Sequence, residues 1–518
     1  MAFSVAQAPR EIAAHPLALV AVLLLAATVR LWGLDAYSLW LDENATVVLT
    51  QQLAGLWGRD IHPPLYYGLV TVWRWLGDSE FVLRLSSVLP SLATVWLLWR
   101  CGQVVGGATA GLIAGLLQAL SPFSVTYAQE LRMYALLEFA VALALLGLLC
   151  LLRDPALAAG AARRGAPKPE PAGRDLRRAW WLYGIGTTLV LYTHNLGFLW
   201  PLVANLAALA VWPWRPERGA LARRWLLVNL AVLALWMPYW PAMLAQAGEL
   251  AGDFWVRQPR IGSALAELAQ INTGLRPRFD LIEWLQIVPL LLLSLLGYAV
   301  IRPRALALLL LLAAVVPPVV EYALGVFVQP VFLGRTLIWT GIPFVLALAS
   351  ALAWILRPRG GRVARLRLGV GCTLLLLMLP LRLLTVTQQY DRIGKADWRG
   401  LFAELAWEMR PTDRVVISPG YETQSYRVYA TRQEREGRPK PPPGKGIYSQ
   451  EALVSFARQG TAGQRLWVIR SLLFSTVVPE EKALFETELA CLKPIRQIDV
   501  HLLEVTAYVA DAACGAPS

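Results

Sequence analysis

Apolar runs of about twenty residues recur along this chain from Leu17 to Leu384, and no other feature of the sequence constrains its fold as tightly. The hydrocarbon core of a bilayer is about 30 Å thick, which takes roughly 20 helical residues to cross. No water is available there, so each backbone N–H and C=O must find its partner inside the segment or in a closed barrel. These runs are continuous rather than alternating, so they read as helical spans and not as barrel strands. Apolar residues make up 57% of the chain and charged residues 16%, as expected of a polytopic membrane protein.

Windows of apolar residues place spans near 16–34, 81–100, 107–126, 134–152, 180–194, 196–213, 225–245, 281–301, 305–326, 336–356 and 368–387, about eleven in all. The first run has no small-residue cleavage site before Arg30 and is followed by further spans, so it is expected to be retained as a helix. The formal charge of +13 lies mostly on arginines in loops between the runs, which argues for topology rather than nucleic-acid binding. The loop Arg153 to Arg178, the next alternate loop at Arg215 to Arg224, the pair Arg302 and Arg304, and the cluster Arg357 to Arg367 fall on one side of the alternation. The positive-inside rule makes that side cytoplasmic, with the N-terminus inside and the C-terminal region outside.

The opposite side carries a first loop from Leu34 to Glu80, a turn at Tyr127 to Met133, a turn at His194, a loop from Gln246 to Asp280 and a segment from Val328 to Arg335. Within the first loop, Pro63 to Leu76 reads as an interfacial amphipathic helix rich in Trp and Tyr. The proline-rich stretch Arg163 to Arg178 reads as a flexible linker. After about Gln388 the composition becomes that of a soluble domain. It has an amphipathic stretch at Leu401 to Met409, strands at Arg414 to Ser418 and Arg465 to Arg470, a Pro-rich loop at Gly437 to Gly446, a helix at Pro479 to Leu489 and a strand at Ile495 to Val505. The expected organisation is a transmembrane domain over 1–387, including the first loop 34–80, and a small α/β domain over 388–518. The five cysteines form no C-x-x-C pattern; an oxidising compartment permits a bond between Cys491 and Cys514, and reduced thiols fit the sequence equally.

Several polar residues on the loop-rich side point to chemistry. Asp42 and Glu43 follow Ser38-Leu39-Trp40-Leu41, and an unpaired carboxylate among interfacial aromatics is costly, which favours function over simple solvation. His62-Pro63-Pro64-Leu65-Tyr66-Tyr67 shares that loop; the prolines start a helix, and His62 is either a cap or a site residue. Glu130, Arg132 and Tyr134 lie in the turn between two spans, where the ordinary alternative is a salt-bridged helix end. His194 and Asn195 stand at a hairpin end, and Asn195 suits the turn itself. Arg335 opens a span, either anchoring it or offering a guanidinium to a lipid phosphate.

In order, Leu39 to Glu43, His62 to Tyr67, Glu80-Phe81 with Arg84-Leu85, Tyr127 to Tyr134, and Tyr192-Thr193-His194 closely resemble the GT-C membrane glycosyltransferases related to the protein O-mannosyltransferases and the lipid A aminoarabinose transferase. The resemblance covers roughly the first 390 residues. It implies a multi-pass protein of the bacterial inner membrane that transfers a sugar, with inversion, from a polyprenyl-phosphate donor to a lipid, glycan or protein acceptor. It implies Asp42 as the catalytic carboxylate with Glu43 beside it; His62, Tyr66, Glu130, Arg132, Tyr134, His194 and Arg335 are the expected substrate-binding residues. Asp42, Glu43, Glu130, His62 and His194 offer hard ligands for a divalent ion, but their spacing matches no metal motif, and metal-independent transfer is the favoured expectation. One departure is the lack of a lysine soon after His62, which leaves phosphate binding to arginines.

Two other classes share parts of this pattern. A transporter or flippase is also polytopic and basic on one side, but it places charges mid-span at broken helices and carries inverted repeats. A lipid-pyrophosphate-dependent polymerase or ligase carries its large polar loop between late spans, whereas here the first loop and the C-terminal domain are the large polar elements.

Overall fold

The computed structural model describes residues 16–51, 62–153, 172–212, 218–249, 256–274, 281–357, 362–391, 394–472, 483 and 487–510. Most of the expected linker, most of the Pro479 to Leu489 helix and Cys514 lie outside them. The chain divides into two compact units. One comprises Met1–Trp32, Leu53–Trp75 and Leu83–Asp391; the other comprises Gly33–Gln52, Leu76–Val82 and Arg392–Ser518. Both ends of the first loop thus belong to the C-terminal unit, and only its middle belongs to the helical one.

The helical unit is built from the apolar windows. Each coincides with helix, and among the described residues six are long and apolar enough on their own to cross a membrane: Glu80–Gly106, Tyr134–Arg153, Arg218–Gln246, Arg304–Phe327, Gly334–Ile355 and Arg365–Tyr390. Pro16–Leu31, Asn195–Val211 and Ile287–Val300 are apolar but shorter. Three expectations are corrected. The window 107–126 is not one straight span, because Ala108–Ala119 and Pro122–Ala128 meet at a bend of 56°. The stretch read as a loop from Gln246 to Asp280 contains a helix, Ile261–Thr273. The expected linker also ends early, since helix begins at Ala172.

The bend is satisfied by side chains. Pro122 cannot donate a backbone hydrogen bond and sits in the first turn of the second helix, where none is needed. The carbonyls left over at the end of Ala108–Ala119 are taken by arginine. Arg30, with no exposed surface, donates to the carbonyls of Ala119 at 2.9 Å and Gln118 at 3.2 Å and to Ser91 Oγ at 2.8 Å. Arg382 donates to the carbonyls of Leu117 at 3.4 Å and Asn272 at 3.2 Å. Guanidinium at a helix C-terminus also meets the negative end of the helix dipole. Glu138 completes the network, accepting from Gln118 Nε2 at 2.9 Å and Ser124 Oγ at 2.8 Å.

Small residues let neighbouring helices close up. A Cβ on Gly186 would lie 2.5 Å from the Ala144 nitrogen, and one on Gly147 would lie 2.5 Å from the Ala179 oxygen, so Tyr134–Arg153 and Ala172–Thr193 touch at backbone level.

The C-terminal unit is a five-stranded mixed sheet in the order β2-β1-β3-β5-β4, with β1 Arg414–Ser418, β2 Gly444–Gly446, β3 Arg465–Ser471, β4 Leu492–Val500 and β5 Leu503–Ala510. Strands β2, β1 and β3 run parallel, and β5 and β4 continue the sheet antiparallel. Strand β1 falls where the sequence places it, and β3 extends one residue further. The expected strand Ile495 to Val505 is instead a hairpin, turning at His501 and Leu502, with Leu502 at φ 58°. Helix Gln450–Arg458 packs on the face carrying Val416 and Val468. The opposite face, with Ile417, meets Tyr426 of helix Thr423–Arg435 across Gly444. Cys491 is disulfide-bonded, while Cys101, Cys150 and Cys372 are thiols.

Candidate active site

In the helical unit, polar and aromatic side chains from separate segments converge. His62 precedes Pro63-Pro64 at the start of helix Leu65–Trp73. Its Nε2 lies 3.5 Å from Arg132 Nη2, and guanidinium is only a donor, so the imidazole accepts. Its ring meets His194 edge-on, with centroids 5.2 Å apart. His194 stands in the break between Ala172–Thr193 and the 3-10 turn Asn195–Phe198 and caps that turn, its Nδ1 accepting from Leu196 N at 3.1 Å. That contact leaves Nε2 as the protonated nitrogen of a neutral ring. Burial first, and then the charges of Arg132 and Arg335, favour the neutral form of this imidazole.

Tyr134 begins the helix Tyr134–Arg153 and connects the cluster. Its ring centroid is 6.2 Å from that of His194 and 5.1 Å from that of Tyr127, and the Arg335 guanidinium carbon lies 5.6 Å above it. Glu130 is half-buried in the turn before it, and its carbonyl accepts from Arg132 N at 2.8 Å. Tyr66 is buried one bond behind the arginine. Its hydroxyl lies 2.8 Å from Ser87 Oγ, which donates to the Arg132 carbonyl at 3.2 Å. Tyr66 therefore braces the Arg132 turn.

Two residues that the sequence did not single out set the Arg335 segment. Glu267, from helix Ile261–Thr273, accepts from Gly334 N at 3.2 Å. Glu321, fully buried in Arg304–Phe327, accepts from Leu333 N at 3.1 Å and from the Thr336 hydroxyl. Two carboxyl groups thus take leading N–H groups at the start of the span Gly334–Ile355, which the helix itself cannot pair. Only their isolation within apolar helices hinted at them. Tyr127, part of the quoted turn, also belongs here, within electrostatic reach of Glu130, Arg335 and Glu267.

The acidic pair belongs to the C-terminal unit. Helix Leu41–Leu49 follows Trp40 in extended conformation, and Glu43 closes the first turn by accepting from Trp40 N at 3.3 Å. Glu43 has no exposed surface and lies 3.0 Å from Lys395 Nζ. Asp42 is half-buried. Near it electrostatically is Glu422, at the carboxyl end of β1, whose carboxyl is pushed up from its usual range, first by burial and in small part by the Asp42 charge, against hydrogen bonds from Ser425, Ser471 and Trp398. Among the described residues no group of three or more His, Cys, Asp or Glu side chains is placed to hold a metal ion.

No protein-family profile matches the chain, and no curated protein sequence does. Solved structures do match. ArnT from Cupriavidus metallidurans in the apo state aligns over 96% of this chain and 99% of its own at 17% identity, with a TM-score of 0.59. The same protein bound to undecaprenyl phosphate aligns over the same shares with a TM-score of 0.56. The archaeal oligosaccharyltransferase AglB from Archaeoglobus fulgidus, in complex with an inhibitory peptide and a dolichol-phosphate, aligns over 96% of this chain and 74% of its own at 12% identity, with a TM-score of 0.58. The fold is that of the GT-C glycosyltransferases, a multi-pass helical membrane body with a small C-terminal sheet.

Proposed function

We propose that this chain is an inverting membrane glycosyltransferase that moves a sugar from a polyprenyl-phosphate donor to a hydroxyl or amine of a lipid, glycan or protein acceptor. The observation that carries the reading is the convergence of His62, Arg132, Tyr134, His194 and Arg335 from distant segments of the helical unit. Two guanidinium groups backed by neutral imidazole and aromatic rings suit a lipid-borne phosphate, which accepts from several donors at once. The reading also draws on fold likeness to proteins whose structures hold undecaprenyl phosphate and dolichol-phosphate.

In the proposed reaction the acceptor oxygen or nitrogen attacks the anomeric carbon, the bond from that carbon to the phosphate oxygen breaks, and the phosphate departs with the electron pair. Asp42 takes the proton from the acceptor. Phosphate is a competent leaving group without protonation, so one carboxylate base suffices where glycoside hydrolysis needs a second carboxyl as acid. Arg132 and Arg335 bind the phosphate and stabilise the charge growing on it. Glu130 and His194 orient the sugar or an arginine. Glu43, engaged with Lys395, holds the helix rather than reacting. The distribution of loop arginines supports a reaction on the non-cytoplasmic face, in what we read as a bacterial inner membrane.

The test is incubation of purified protein with radiolabelled undecaprenyl-phosphate sugars and an envelope extract, comparing wild type with Asp42→Asn. Transfer by wild type and none by the variant is expected. Equal transfer by both removes Asp42 from its role, and no transfer from any donor returns the chain to the transporter class.

A further inference from the structure

In open α/β sheets, ligands sit outside the carboxyl ends of the strands where the strand order reverses, because the crossover helices part there and leave a crevice. In the C-terminal unit that reversal falls between β1 and β3, since the chain leaves β1 for β2 on one side and returns to β3 on the other. The chain's own helix Leu41–Leu49 reaches this edge. Asn44 Nδ2 donates to Ser425 Oγ at 3.0 Å, and Ser425 Oγ donates to Glu422 Oε2 at 2.7 Å. Ser471 Oγ, at the end of β3, lies 3.5 Å from Glu422 Oε1. A line of hydrogen bonds therefore runs from the Asp42 helix to the ends of both strands that flank the reversal.

Further ties fix the segment leading into that helix. Leu39 N donates to Tyr429 Oη at 2.7 Å, and that hydroxyl donates to Glu80 at 2.9 Å. Ser38 Oγ donates to Asp397 at 2.8 Å. Lys395 and Glu43 form the buried ion pair. A nine-residue helix has no stability of its own, so its rotation is set by what it packs against. Successive residues point about 100° apart around a helix axis. Pinning Glu43 on the buried side therefore fixes where Asp42 points.

We propose that the carboxyl-end crevice of the C-terminal sheet is the seat of the Asp42 helix, and that Lys395 and Ser425 are positioning residues for the Asp42 carboxylate. This rests on the assignment of Asp42 as the base. The sheet domain is then part of the catalytic machinery, with the position of a bound ligand filled by its own chain. Without Lys395 the Glu43 carboxylate is left buried without its counter-ion, and the helix must turn or shift to hydrate it, carrying Asp42 along.

The experiment measures kcat and donor KM for Lys395→Met, Lys395→Arg and Ser425→Ala beside Asp42→Asn, using whichever undecaprenyl-phosphate sugar wild type transfers. Misplacement of a reacting group by about 1 Å costs on the order of 100-fold in rate. Lys395→Met should therefore lose roughly 10- to 100-fold in kcat with donor KM unchanged, and Lys395→Arg, which keeps the ion pair, should recover most of it. Ser425→Ala removes one link and buries no lone charge, so it decides the question if Lys395→Met fails to fold; it should lower kcat several-fold at unchanged donor KM. Wild-type kcat in Lys395→Met or Ser425→Ala, with Asp42→Asn inactive, overturns the positioning role alone. So does a rise in donor KM at unchanged kcat. Full activity in Asp42→Asn overturns the proposed function itself.

Discussion

Replacing Gly334 with alanine tests whether the Arg335 segment is held by Glu267. A Cβ at this position would lie 2.3 Å from Glu267 Oε2 and 3.4 Å from the tip of Phe123, while real Cβ contacts essentially never fall below 3.0 Å. The gap must open by 3.0 − 2.3 = 0.7 Å at least. If the carboxylate yields, the bond it accepts from Gly334 N is lost, at about 1.5–3 kcal/mol for a hydrogen bond to a charged group. If the backbone yields, Arg335 moves off its place above Tyr134. Either way the guanidinium loses its setting, and each 1.4 kcal/mol is about tenfold in affinity. The Gly334→Ala variant should bind undecaprenyl phosphate about 10-fold more weakly or worse, measured by fluorescence titration in detergent. The double variant Gly334→Ala/Glu267→Ala clears the offending oxygen but also removes the acceptor of Gly334 N, so it should bind more tightly than the single one if the backbone yields and no better if the carboxylate does. Wild-type affinity in Gly334→Ala refutes the reasoning.

Other changes follow from the same geometry. Arg132→Lys keeps the charge but loses the planar fork, so donor KM should rise about 10-fold with the melting temperature little changed; an unaltered KM removes Arg132 from phosphate binding. Arg30→Met strips the buried carbonyls of Gln118 and Ala119 of their donors, each at about 1–3 kcal/mol, and should lower the melting temperature in detergent by about 5 °C or more. An unchanged melting curve would mean that the helix end finds other partners. Glu422 has its carboxyl raised above its usual range, so the folded state favours the protonated form, and that contribution is lost as pH rises through the folded pKa. Glu422→Gln escapes the loss, so the melting temperature of the variant minus that of wild type should grow between pH 4 and pH 8; a flat difference contradicts the shift.

Much of this architecture was legible in the sequence, for reasons tied to particular residues. Apolar windows marked the helices because every span must satisfy its own backbone in lipid. The bend at Leu120 and Ser121 was not legible, since a hydropathy window averages across Pro122 and the arginines that cap it come from distant helices. Strand β1 showed itself as a short β-branched run before Ser418-Pro419. The hairpin between β4 and β5 did not, because its turn uses His501 and Leu502 in place of Gly, Asn or Pro. Helix Thr423–Arg435 is strongly polar, and its buried Tyr426 and Tyr429 are too few to give a clear period. Asp42, His62 and Arg132 are singled out by local motif. Glu267, Glu321 and Lys395 owe their meaning to partners far along the chain, and no local pattern encodes such a pairing.

The arginine caps on Ala108–Ala119 bear on how the protein is made. One guanidinium comes from Pro16–Leu31, the first helix among the described residues, and the other from Arg362–Asp391 of the same unit. A growing chain that has inserted only its early helices holds half of that cap, and the carbonyl of Leu117 waits for Arg382 to arrive. The end of Ala108–Ala119 is therefore completed only once Arg362–Asp391 is in place. Chains stopped before residue 382 should be cleared by membrane proteases even though most of their spans are in place.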